Sequence, residues 1–157
     1  MKNEMMLVFD AIPSNESFAR VVVAAFAARC NPTLEEIDDI KTAVSEAVTN
    51  AIIHGYDGYD EKEAATPRND PKVTVSCTLE GKSLHIEVSD QGKGIADIEQ
   101  AMEPLFTTRP ELERSGMGFA FMEAFMDELQ VFSTPGHGTK VSMVKNLDTD
   151  RSTGCED

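Results

Sequence analysis

The chain is predicted to fold as a two-layer α+β sandwich, with a mixed, mostly antiparallel sheet and helices on one face. Three observations predict this. Two helical periodicities lie early in the chain, a hairpin of two alternating strands lies in the middle, and two further alternating strands flank a Pro-Gly-His-Gly turn near the end. A length of 157 residues suits one domain with one core. That domain is assigned to residues 1–145, and the polar residues 146–157 are expected to form a disordered tail.

Taken in order, residues 4–10 read as a first strand. Pro13 and Ser14 punctuate it, and Ser14 is expected to cap a helix running to about Arg29, with Phe18, Val21, Val22, Ala25 and Phe26 on one face. Asn31 and Pro32 end that helix. Thr33 and Glu36 have the spacing of a capping box. The helix they open runs to about His54, with a core stripe of Ile37, Ile40, Val44, Ala47, Val48 and Ala51, and Gly55 as its stop signal. Residues 56–71 are polar and read as a mobile, solvated connector. Strands follow at residues 73–79 and 84–90. A short helix is expected near residues 96–102, a helix opened by Gly116-Met117-Gly118 runs to about Met126, and the last strands span residues 129–134 and 139–144.

Charge and composition exclude several classes. With 28 acidic and 14 basic side chains the formal charge is −14, the wrong sign for general nucleic-acid binding. The longest apolar run, Val21 to Ala28, is far shorter than the roughly 20 residues that cross a bilayer, and the N-terminus has no secretory h-region. The reading is a cytoplasmic protein with no membrane partner. Cys30, Cys77 and Cys155 are odd in number and lack CxxC spacing, so they are expected to be reduced thiols.

Three short patterns carry chemistry. Glu46, Asn50 and His54 recur at i, i+4, i+8 on one stripe of the second helix, beside small residues Ala47 and Ala51. Asn offers a neutral oxygen to Mg²⁺ and Glu can accept a hydroxyl proton, although a solvated polar face would read the same way. Asp90-Gln-Gly-Lys-Gly94 closes an apolar strand. Its carboxylate can accept a bond from an amino group, and its glycines let backbone approach a flat ring; an ordinary strand-to-helix turn would read alike. Ser115-Gly-Met-Gly-Phe119 opens a helix, where exposed N–H groups and the helix dipole favour an anion. There is no GxxxxGK[ST] phosphate loop.

The order E-x-x-x-N, D-x-G-x-G, G-x-G over residues 5–145 resembles the Bergerat-fold ATPase/kinase superfamily, which includes DNA gyrase and the histidine kinases. Ser14–Arg20, Ser45–Tyr56 and Pro104–Phe119 are similar to stretches of the anti-sigma F factor family of sporulating bacteria. The connector at residues 56–71 is longer than is usual for that family.

The resemblance implies a serine kinase that binds ATP or ADP with Mg²⁺, restrains the sporulation sigma factor F, phosphorylates an anti-anti-sigma factor and forms a homodimer. It implies that Asn50 holds Mg²⁺, that Glu46 is the general base and that Asp90 receives the adenine amino group. Gly92 and Gly94 would line the base, and Thr139 would close the adenine side. Thr107, Thr108, Ser115, Gly116, Met117 and Gly118 would cover the phosphates, with Arg114 reaching the γ-phosphate. Arg20 would contact the protein partners. His54 is expected to be structural. Between residues 91 and 118 three bases (Lys93, Arg109, Arg114) face five acids (Asp97, Glu99, Glu103, Glu111, Glu113), so ATP affinity is expected to depend strongly on Mg²⁺. A nucleotide-gated binding protein with little kinase activity is the alternative reading.

Overall fold

In a computed structural model, the described residues are 2–56, 71–103 and 118–147. They comprise β1 (Lys2–Asp10), α1 (Asn15–Ala27), a 3₁₀ turn (Ala28–Cys30), α2 (Leu34–Asn50), a π-helical turn (Ala51–Gly55), β2 (Lys72–Glu80), β3 (Ser83–Asp90), α3 (Ile98–Ala101), α4 (Gly118–Phe125), β4 (Glu128–Ser133) and β5 (Thr139–Asn146). The strands form one sheet in the order β1-β2-β3-β5-β4. Every pairing in it is antiparallel, so the mixed character expected of the sheet narrows to a purely antiparallel one.

Alternation along the strands builds the core. Val73, Val75, Cys77 and Leu79 on β2, Leu84, Ile86 and Val88 on β3, and Val141 and Met143 on β5 are all buried. They meet Ile40, Ala43, Val44, Ala47 and Val48 of α2 and Met122 of α4 in one cluster. On the opposite face His85 and Glu87 of β3 are exposed. The last strand reaches Asn146, and Leu147 beyond it is 3% exposed in the core.

The helix starts follow local chemistry. Thr33 Oγ1 accepts the Glu36 N–H at 3.0 Å and the Glu36 carboxylate returns to the Thr33 N–H, so the capping box forms as expected. At α1 the expectation fails: Ser14 is helical and makes no side-chain cap bond. The chain instead turns in through Asn15, whose N–H bonds Ile12 O and whose Nδ2 bonds Asp10 O.

The buried face of α1 is also different from the one expected. Ala19, Val23 and Ala27 are buried, whereas Phe18 and Val21 are 52% and 59% exposed. A helix apolar nearly all round can present several faces, and the small face packs closest against a neighbouring helix, here α2. Cys77 is a buried free thiol whose pKa burial pushes up to about 12, and Cys155 lies outside the described residues.

Candidate functional site

The functional region forms where α2 stops being α-helical. The π-helical turn Ala51–Gly55 widens the last turn, and such single-turn expansions recur at functional sites. It buries Ala51, Ile52 and Ile53, leaving His54 and Gly55 to face the end of β3. A cavity of about 420 Å³ opens there. Ala47, Asn50, Ala51, His54 and Gly55 form one wall. Val88 and Asp90 of β3, Thr139 and Val141 of β5, Lys93 to Asp97 and the residues around α3 form the rest, with Gly118 and Phe119 at the start of α4.

Asp90 is the polar residue that defines this cavity. It continues the inward phase of Leu84, Ile86 and Val88, so its carboxyl group faces the helical layer and is only 5% exposed. Its Oδ1 accepts the Gly92 N–H at 2.8 Å. Desolvation pushes its pKa up to about 6, partly offset by the backbone N–H groups of Gly92 and Thr139.

Close packing sets where that carboxylate points. A Cβ on Gly55 would lie 2.8 Å from Asp90 Oδ1, so a larger residue there would displace the carboxylate. Gly138 has φ +81°, and a Cβ on it would overlap the Asp90 carbonyl oxygen; both the strain and the contact require glycine. The loop after Asp90 is tied on both sides. Lys93 N–H donates to Gly55 O at 2.9 Å, and Gly136 N–H donates to Lys93 O at 2.7 Å. Ser133 Oγ accepts the Ile95 N–H at 2.7 Å, donates to Gly138 O at 3.0 Å and lies 2.8 Å from Thr139 Oγ1.

Of the residues singled out in the sequence, Asn50, Asp90, Gly94, Gly118 and Thr139 line the cavity together. Gly92 lies behind it, packed on the Gly55 carbonyl. Gly118 packs on the Asn50 amide, where a Cβ would lie 2.9 Å from Nδ2. Glu46 is half-buried one turn before Asn50 and is not a lining residue. Arg20 lies on α1, which supplies no lining residue. It is 3.6 Å from Glu16, its side chain is 37% exposed, and its Nε is buried with no hydrogen-bond partner among the described residues. Thr107, Thr108, Arg114, Ser115, Gly116 and Met117 lie outside the described residues.

Sequence reasoning left out Tyr56 and Ser133, gave Gly55 and Gly138 only punctuating roles, and read His54 as structural. The signal available for Gly55 and Gly138 was their placement directly beside cavity residues in sequence or register. Ser133 had none, because it acts on Ile95, 38 positions away.

The arrangement can hold a polar, flat group against Asp90. Lys93 is set against Asp90, Asp97 and Glu103 in the lining, so net charge does not draw an anion in. Among the described residues no group of three or more His, Cys, Asp or Glu could hold a metal ion. Among the described residues the amide oxygen of Asn50, which lines the cavity, would suit an Mg²⁺ ion that takes its remaining ligands from phosphates and water.

Comparison with known proteins gives concordant matches. Residues 9–145 match the family model described as the histidine kinase-like ATPase domain. The chain is 54% identical over 149 residues to the anti-sigma F factor of Anoxybacillus flavithermus, covering 94% of each chain. It is 53% identical over 147 residues to the anti-sigma F factor of Bacillus subtilis, again covering 94% of each. It is 57% identical over 149 residues to the anti-sigma F factor of a Thermoanaerobacter species, covering 95% of this chain and 97% of that one. Among solved structures, the RsbU and RsbW domains of a Mycobacterium tuberculosis protein match with a TM-score of 0.62 and 22% identity. That match covers 92% of this chain and 32% of the longer one, and it shows the fold alone.

Proposed function

Because the chain belongs to the histidine kinase-like ATPase domain family, and within it to the anti-sigma F factors, we propose that it binds and inhibits the sporulation sigma factor F and, as an ATP-dependent protein-serine kinase, phosphorylates and inactivates an anti-anti-sigma factor. The observation that carries the nucleotide half is the buried Asp90 carboxylate sharing one cavity with Asn50. A carboxylate out of water is costly unless a donor meets it, and the adenine amino group is such a donor. The perturbed pKa in a cleft supports the same reading.

In this reading Asn50 holds Mg²⁺, which neutralises phosphate charge when bound. Glu46 takes the proton from the substrate serine hydroxyl. The serine oxygen bonds to the γ-phosphorus as the bond from that phosphorus to the β,γ-bridging oxygen breaks, and ADP leaves. Gly94 and Thr139 line the base. Thr107, Thr108, Ser115, Gly116, Met117 and Gly118 cover the phosphates, with Arg114 at the γ-phosphate. Arg20, beside exposed Phe18 and Val21 on α1, meets the protein partners. The chain works in the cytoplasm as a homodimer. The exposed apolar residues of the edge strand β1, Met6 and Val8, support self-association, because such an edge is rarely left bare. No helix among the described residues is long and apolar enough to cross a membrane.

One observation favours the second reading, a nucleotide-gated binding protein with little kinase activity: Glu46 does not line the described cavity. Labelled ATP, the purified chain and an anti-anti-sigma protein decide between the two. On the kinase reading Glu46→Ala retains ATP binding and loses phosphoryl transfer. Unchanged transfer removes Glu46 as base, and no transfer by the unaltered chain leaves the binding protein. In the same assay Arg20→Glu weakens both protein complexes with ATP binding intact; lost nucleotide binding refutes its assignment.

A further inference from the structure

Tyr56 is the first residue after the π-helical turn, and its hydroxyl sits between two strands. It accepts the Gln91 N–H at 2.7 Å and donates to the Lys72 carbonyl at 2.8 Å. The register explains why this matters. β2 and β3 pair Val73 with Asp90, so the next opposed residues in an antiparallel ladder are Lys72 and Gln91. The phenol oxygen occupies the place of their direct N–H···O=C bond, satisfying both groups while holding the two backbones apart. The ladder stops at Asp90 because a side chain from a third element is inserted one residue beyond it.

What that insertion controls is the loop that follows. With Gln91 held off β2, Gly92 turns its N–H back to Asp90 Oδ1 at 2.8 Å, and Lys93 N–H reaches Gly55 O at 2.9 Å. The same short segment, Gly55-Tyr56, therefore fixes the loop at both Gln91 and Lys93 and bounds the space around the Asp90 carboxylate. Burial, the largest cause, raises the pKa of the phenol, so it keeps the proton it donates to Lys72.

We propose that Tyr56 is the positioning residue for base recognition: its inserted hydroxyl ends the β2–β3 ladder at Asp90 and so sets the carboxylate and the Gln91–Lys93 loop to discriminate between purines. The proposal rests on the reading of Asp90 as the acceptor of the adenine amino group. Without the hydroxyl, Gln91 N–H either closes onto Lys72 O or loses its partner, and in both cases the loop and the carboxylate move relative to each other.

The test is Tyr56→Phe, which keeps the ring, with Kd values for ribose-labelled ATP and GTP measured on the full chain beside thermal melts. The expected result is ATP binding weaker by about tenfold, the size of one well-placed polar contact, with GTP binding nearly unchanged, so that the ATP-over-GTP preference narrows by the same factor. A merely structural role weakens both nucleotides alike and leaves the preference intact, and that result overturns the proposal. Asp90→Asn in parallel separates the failures. If it keeps the wild-type preference, the adenine reading and this proposal both fall. If it loses the preference while Tyr56→Phe keeps it, only this proposal falls. Should the Phe variant not fold, amide exchange of Gln91 in the unaltered, ligand-free chain decides: protection is expected, and exchange at the rate of a free amide overturns the bridge.

Discussion

Asp90→Asn should raise the stability of the ligand-free chain while weakening its nucleotide binding. The carboxyl group is 5% exposed, and burial lifts its pKa from 3.8 to about 6. At 1.36 kcal/mol per unit, that shift of about two units amounts to about 3 kcal/mol of destabilisation once the group is ionised in both states. Between about pH 4 and pH 6 the folded state holds the proton more tightly than the unfolded one. Stability therefore falls as pH rises through that window and is flat above it. Asparagine never ionises, can still accept the Gly92 N–H through its oxygen, and lacks the slope.

At pH 7.5 the variant should be more stable by about 2 kcal/mol, or roughly 4–8 °C in Tm for a chain of this size, and the gain should vanish near pH 4. Binding should move the other way. Losing a hydrogen bond to a charged acceptor costs about 1.5–3 kcal/mol, equivalent to a roughly 10–100-fold weaker Kd for ATP. Chemical denaturation at pH 4 to 8 and titration with labelled ATP measure both. A variant less stable than the parent at pH 7.5, or one that keeps the parent's pH slope, would refute the account of a buried, desolvated carboxylate.

Two further substitutions bracket this result. Gly55→Ala puts a methyl group 2.8 Å from Asp90 Oδ1; the carboxylate must turn away, and ATP binding should weaken at least tenfold, with unaltered affinity in a folded variant showing that Asp90 has room to spare. Thr33→Ala removes the acceptor for Glu36 N–H at the far end of α2 and should cost about 1 kcal/mol, lowering Tm by roughly 2–4 °C with ATP affinity unchanged; an equal loss of affinity would mean that α2 transmits its N-terminal fraying to Asn50.

What was legible in the sequence divides along a physical line between local periodicity and distant contact. The capping box, the core stripe of α2 and the inward phase of Asp90 depend on residues a few positions apart, and each is visible as spacing. The face of α1 was not legible, because its apolar residues surround the axis and the choice falls on Ala19, Val23 and Ala27, whose small size lets α2 come close. In α2 the opposite holds: Glu46, Asn50 and the other polar positions leave one apolar stripe, so one answer.

The same line runs through the cavity. Asn50 and Asp90 carry chemistry in their own side chains and announce themselves, whereas Thr139 was reached only through the family resemblance. Tyr56, Gly55 and Ser133 act by holding backbone from another part of the chain, and Tyr56 joins Lys72 to Gln91, 16 and 35 positions away. No periodicity encodes such a bridge. A partial cue is in the sequence nonetheless: a tyrosine directly after a helix-stopping glycine, where a polar tip on an apolar ring can bury its body and still find two backbone partners. The side chain that would touch the base is thus readable from its type, while the ones that aim it become readable only once the strand register places Lys72 opposite Gln91.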